Sequence, residues 1–209
     1  MLRPRVDNLK LITHLAALAP LACIFFDVFA DRLSAEPIRD LMRRTGRDGL
    51  VLLSLTLAIR PLSEILGLNF LKRLRRTIGL YAFFYVCLHF LTFTGLDYAF
   101  DWRLIKVALF QRPFAYVGFA TFLILLPLAL TSTNAWRRRL GRNWKRLHWL
   151  IYPAALLDSL HFLMQAKAKA LWAEPLAYAA TIIMLLVLRV PLIRRLTGQT
   201  SGENKHGAG

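Results

Sequence analysis

RNWKRLHWLIYPAALLDSLHFLM, residues 142–164, decides how the rest of the chain is read. It opens with Arg142, Trp144, Lys145 and Arg146, then turns almost wholly apolar for about one bilayer thickness. His148 stands near its start and His161 near its end. On a helix their separation of 13 positions is a rise of about 20 Å, at roughly 1.5 Å per residue. Two imidazoles that far apart cannot hold one metal, but they can serve two depths of a membrane. An ionisable group inside a spanning helix is costly, so its default reading is functional. On a straight helix the two rings point about 140° apart. Pro153, between them, is placed to kink or rewind that helix.

Composition agrees with a membrane setting. The chain has 209 residues, 56% of them hydrophobic, which excludes an ordinary soluble domain and leaves a small polytopic membrane protein. A net charge of +16 raises the question of nucleic acid, whose binders gather basic residues into a patch on a soluble surface. Here the basic residues fall in short bursts between apolar runs, so no nucleic-acid partner is expected. Cys23 and Cys87 lie in apolar runs without a CxxC pair, which argues against a disulfide framework, an iron–sulfur site and covalent haem attachment. The first apolar run passes through Phe25 and Phe26 without a small-residue cleavage site and is expected to be a retained helix.

Six runs are long enough, or nearly so, to span the hydrocarbon: Leu11–Phe29, Thr45–Leu62, Ile78–Gly95, Phe114–Leu130, Leu147–Met164 and Leu171–Leu188. Arg60 interrupts the second, where it can snorkel to the interface. The runs lack the alternation of a barrel. The fold class is therefore all-α, a polytopic membrane protein built as a six-transmembrane-helix bundle. Residues 1–196 form one domain, residues 197–209 a disordered tail, and no internal repeat is obvious. One set of loops and termini carries 18 Lys and Arg, the other 10, so the richer side, with both termini, is expected to be cytoplasmic. The bursts Lys72–Arg76 and Arg137–Arg146 serve as topology signals and anchors for anionic membrane lipid, or else dock a donor or pair with haem propionates.

His89, late in the third run, and His161, late in the fifth, lie on parallel spans at depths differing by roughly 4–5 Å. That arrangement suits a haem iron held by two imidazoles across a bundle. Arg75 and Arg76, at the level of His148, can neutralise a propionate but are not usual iron ligands. His148 admits two readings: ligand of a second, inner haem, with His14 or nothing opposite, or an interfacial residue wetted by headgroups. Asp158, one turn before His161, can orient that imidazole or serve a proton path. No GxGxxG, Walker A, GxSxG or HExxH motif occurs. If the chain moves electrons, both donor and final catalyst are other molecules, so no substrate catalysis of its own is expected. Two competing readings are a cofactor-free proton-coupled transporter using Asp27, Asp158 and the histidines, and a membrane scaffold in which the histidines are incidental.

The segments RTGRDGLVLLSLTLAIRPL (residues 44–62), RRTIGLYAFFYVCLHFLTF (75–93) and TSTNAWRRRLGRNWKRLHWLIYPAALLDSLHFL (131–163) resemble the MsrQ (YedZ) family. The layout is more distantly similar to the membrane domains of ferric reductases and NADPH oxidases. The resemblance covers nearly the whole chain except the tail. It implies a multi-pass protein of the bacterial inner (cytoplasmic) membrane carrying haem b, one or two per chain, and FMN. It implies electrons from the quinone pool or a cytosolic flavin reductase. Their destination would be a periplasmic molybdopterin enzyme of the MsrP type, which reduces methionine sulfoxide. The family's haem histidines fall on His89, His148 and His161. Asp158 departs from the apolar residue expected of the family, and FMN has no residues to which it can be assigned.

Overall fold

Apolar runs bounded by charge become helices throughout the computed structural model, which describes residues 6–166 and 172–189. Among the described residues there is no strand. The helices are α1 (Val6–Phe29), α2 (Pro37–Ile65), α3 (Leu71–Leu91), α4 (Trp102–Gln111), α5 (Pro113–Leu130), α6 (Asn134–Leu140), α7 (Arg142–His148), α8 (Ile151–Gln165) and α9 (Ala173–Val187). A π-helical segment, Thr92–Asp97, continues α3. Among the described residues three stretches are long and apolar enough to cross a membrane: Asn8–Phe29, Leu71–Asp97 and Pro113–Leu130. Ala173–Val187 is a shorter apolar helix. The expected tail, residues 197–209, lies outside the described residues, as does Leu171.

Three expectations are corrected. The second run is the centre of a longer helix, whose first turns carry Arg39, Asp40, Arg43 and Arg44 ahead of the apolar stretch. The fifth run is not one helix: α7 stops at His148 and α8 begins at Ile151. Pro153 causes this, because its ring clashes with the carbonyl four residues back and it has no N–H to give. The Trp149 carbonyl is taken instead by the Tyr152 N–H at 3.1 Å, a tighter turn. The loop left between the third and fourth runs is mostly α4, capped by Asp101, whose carboxylate accepts from the Arg103 and Leu104 N–H groups.

α2 and α3 form one antiparallel hairpin, and α5 with α8 forms a second; α9 packs on α8 and α2. The core between them is Leu50, Leu53 and Leu57 of α2, Ala82 of α3, Leu125 and Leu128 of α5, Ala154 and Ala155 of α8, and Ile182 and Leu185 of α9. Alanines on α8 let backbones approach closely, as packing inside lipid requires. Between the hairpins Phe90 stacks on Phe122 at 4.6 Å and on Phe119 at 5.9 Å, and Phe83 stacks on Phe122 at 5.9 Å. Large apolar side chains on the outside, among them Leu11, Leu15, Phe25 and Phe26 of α1, face where acyl chains would lie.

A buried tyrosine of α3 ties that helix to the backbone of α1. The buried Tyr85 hydroxyl donates to the Ala17 carbonyl at 2.8 Å and accepts from the Leu21 N–H at 3.0 Å. It thus stands inside a rung of the α1 backbone ladder, next to Pro20, which already removes a neighbouring rung. Elsewhere Arg44 ties Asp27 of α1 at 2.5 Å to Asp40 of its own helix at 3.1 Å, and Arg47 reaches Glu174 of α9 at 2.9 Å.

Tyr85→Phe is expected to cost about 1–3 kcal/mol, the range for a buried hydrogen-bonding group, read as a lower melting temperature in detergent. Unchanged melting would show that α1 closes its own ladder. A second expectation concerns pH. Burial pushes the Asp40 carboxyl up, but the hydrogen bond and charge of Arg44 outweigh it and leave it below its ordinary value of 3.8. A group depressed by folding stabilises the fold above its unfolded pKa, and that contribution fades as pH falls through the folded value. Arg44→Ala should therefore melt lower than wild type at neutral pH, with the gap narrowing below pH 3.8. A gap constant with pH would contradict this account.

Candidate functional site

His89 is set on α3 one turn before the π-helical segment, a backbone irregularity often found at functional sites. Its Nδ1 lies 2.8 Å from the Met42 carbonyl of α2. A carbonyl only accepts, so Nδ1 carries the proton and donates, and Nε2 keeps a free lone pair. The ring lies against Gly46, where a Cβ would fall 2.9 Å from Nδ1. No side chain but hydrogen leaves room for it.

His161 on α8 repeats the arrangement. Its Nδ1 donates to the Phe114 carbonyl of α5 at 2.7 Å. The ring lies against Gly118, where a Cβ would fall 2.8 Å from Cε1 and 2.9 Å from Nδ1. Met42 and Phe114, Gly46 and Gly118, and His89 and His161 are each separated by 72 residues. The two hairpins therefore use one device twice, a repeat that the residue identities alone do not display. Sequence reasoning found the histidines and missed the glycines. The available signal was a glycine inside each helical run, RTGRDGL and YVGFAT, where close backbone approach is the usual explanation.

The two rings meet. Their centroids are 5.9 Å apart and their planes 79° to each other. Imidazoles on opposite sides of one metal, each bonded at about 2 Å, place their centroids roughly 6 Å apart. Nδ1–H donated to a carbonyl, with Nε2 left free, is the usual state of a metal-binding histidine. Among the described residues no three His, Cys, Asp or Glu gather as a metal site. Two nitrogens are too few for zinc, and are the number an iron lacks when a porphyrin fills its other positions. The residues present fit a haem.

The remaining candidates lie apart from this pair. His148 stacks on Trp144 at 4.0 Å with its Nδ1 donating to the Trp144 carbonyl at 3.1 Å. Its Nε2 is buried with no partner among the described residues. His14, weighed as its opposite ligand, is bound to the Tyr81 hydroxyl of α3 at 2.9 Å. Arg75 is half-buried near Arg189, Tyr152 and Arg60, whereas Arg76 is exposed. Asp158 does not orient His161, because the Phe114 carbonyl already holds that ring; its Oδ2 is buried and has no partner among the described residues. Asp27, a member of the proposed proton path, is paired with Arg44.

Comparison with known proteins follows the same line. Residues 45–157 match the family described as ferric reductase like transmembrane component. The chain is 45% identical over 187 residues to the protein-methionine-sulfoxide reductase heme-binding subunit MsrQ of Xanthomonas axonopodis pv. citri (strain 306), covering 87% of this chain and 85% of that one. It is 40% identical over 188 residues to the same-named subunit of Herminiimonas arsenicoxydans, covering 90% of this chain and 86% of that one. No solved structure matches. With paired intramembrane histidines, an all-helical fold and identity at this level over most of its length, the chain belongs to the MsrQ family of ferric reductase like transmembrane components.

Proposed function

We propose that this chain is a haem b electron-transfer subunit that relays electrons across the bacterial inner membrane to a periplasmic methionine sulfoxide reductase of the MsrP type. The observation that carries the reading is the His89–His161 pair, 5.9 Å apart and oriented by one carbonyl each. The relatives are named as heme-binding subunits of a protein-methionine-sulfoxide reductase, which fits. The donor in this reading is the quinone pool or a cytosolic flavin reductase. FMN, implied by the family resemblance, is left without a site.

Six spans with both termini cytoplasmic are part of the proposal. α2, with 29 residues, is about 43 Å long and exceeds the hydrocarbon thickness although its ends are charged. α7 and α8 together cross as one broken span, and α9 is a short sixth. The charge asymmetry of the loops supplies the direction.

A haem bound between the two histidines supplies one-electron redox chemistry. His89 and His161 would hold it through Nε2, while the Met42 and Phe114 carbonyls take the Nδ1 protons, set the tautomers and would raise ligand basicity. Gly46 and Gly118 provide the space in which the rings stand. The stacked Phe83, Phe90, Phe119 and Phe122 close the seam between the hairpins to water. A second reading, an inner haem on His148, is favoured by one observation, its buried and unpartnered Nε2.

The purified protein should show a Soret band, with α and β bands that sharpen on dithionite reduction. His89→Ala and His161→Ala should each remove most of that spectrum, and a colourless wild type would end the proposal. Gly46→Ala and Gly118→Ala should lower haem content by displacing the rings, while the chain still inserts in the membrane. Full haem content in both would contradict the cradle. Haem per chain on wild type and His148→Ala, by pyridine haemochrome, distinguishes the two counts: a loss of one haem establishes the inner site, and no change excludes it.

A further inference from the structure

At the end of the bundle where α2 stops and α3 starts, away from the histidine pair, lies a cavity of about 370 Å³ lined by Ile59, Arg60, Glu64, Lys72 and Arg75. That volume is at the lower end of the range for ligand pockets. Its charge is one-sided. Arg60 donates to Glu64 at 3.0 Å, which engages the carboxylate among the lining residues. Among the described residues Lys72 meets a neutral amide, Asn69 Oδ1, at 2.9 Å. Arg75 has no ion pair among the described residues, and its charged neighbours are Arg189 and Arg60.

Arg189 adds to this excess from α9. It is 8% exposed, donates to the Leu57 carbonyl and to the Tyr152 hydroxyl at 3.4 Å, and leaves its Nε buried without a partner among the described residues. Four cations thus gather around one carboxylate. Like charges crowded and partly desolvated are costly unless an anion joins them. Topology signals do not require this: a positive-inside residue works as well with its head in water, whereas Arg75 and Arg189 are drawn in. The end of the bundle that the loop charges place in the cytoplasm is also where phosphates of a membrane surface lie.

We infer that this cavity binds the phosphate group of an anionic ester, with Arg60, Lys72 and Arg75 as donors and Arg189 supplying further positive charge. Two sources carry that chemistry, a phospholipid headgroup and a soluble phosphate ester. Guanidinium groups suit either, since their planar fork meets phosphate oxygens in pairs. The Arg60–Glu64 pair keeps one edge of the cavity acidic, which favours a single phosphate over a densely charged polyphosphate.

The test uses the full-length protein in detergent and in phosphatidylcholine nanodiscs. Melting temperature is followed against added inorganic phosphate in the first and against phosphatidylglycerol content in the second. Wild type should be stabilised by at least one probe. Arg75→Gln should weaken the apparent affinity about tenfold or more, the effect of one charge-assisted hydrogen bond. Lys72→Gln, at an exposed position that tolerates change, should weaken it in the same direction. Arg138→Gln, in the other basic burst, should leave it unaltered. Response to phosphate in detergent assigns a soluble ester, and response to phosphatidylglycerol alone assigns a headgroup. No stabilisation by either probe, or equal losses in all three variants, overturns the site. The Soret band is recorded on the same samples: if Arg75→Gln loses it together with the response, Arg75 serves a haem propionate and the inference fails.

Discussion

The structure depends on two imidazole rings being held at a fixed spacing by neighbouring backbones. Each histidine gives its Nδ1 proton to a carbonyl on the helix it packs against, and each ring stands where that helix has glycine. Glycine inside a helix costs roughly 1 kcal/mol relative to alanine. In α2 and α5 the penalty is offset by a buried polar ring that would otherwise find no space and no acceptor. Both carbonyls belong to the helix packed against the histidine's own, so each ring is oriented within its own helix pair. What the meeting of the two helix pairs contributes is the 5.9 Å separation.

Several irregularities of the backbone follow from that requirement and from proline. The break at Trp149–Leu150 separates α7 from α8, so His148 and His161 need not share the phase of one straight helix. Tyr85 repairs α1 where Pro20 weakens it, and by doing so helps to hold that helix on α3. In hydrocarbon, where no water is at hand, an open rung must be satisfied from within the protein. The charged end of α2 is dealt with differently: Arg44 and Arg47 link α1, α2 and α9 through carboxylates, in a region where water is near.

Charge separates the two ends of the molecule. At one end arginines find aspartate and glutamate; at the other, Arg75 and Arg189 find none among the described residues. The histidine pair lies toward the first of these ends, where His89 packs on Met42 and Gly46, on either side of Arg44.

The amino-acid sequence by itself determined the helical class, the apolar runs, the loop charges and the two histidines at matching depth. These are properties of composition and period, and each can be read within one segment. It also pointed to the family, through residues 44–62, 75–93 and 131–163. The carbonyl partners, the glycine contacts, the 72-residue repeat of that device, the bond between His14 and Tyr81, and the gathering of Arg75 with Arg189 belong to the tertiary structure alone. The reason is physical. A hydrogen bond to a backbone carbonyl leaves no trace in the identity of the acceptor, as Met42 and Phe114 show, and a close approach between helices is set by packing geometry that no single helix contains.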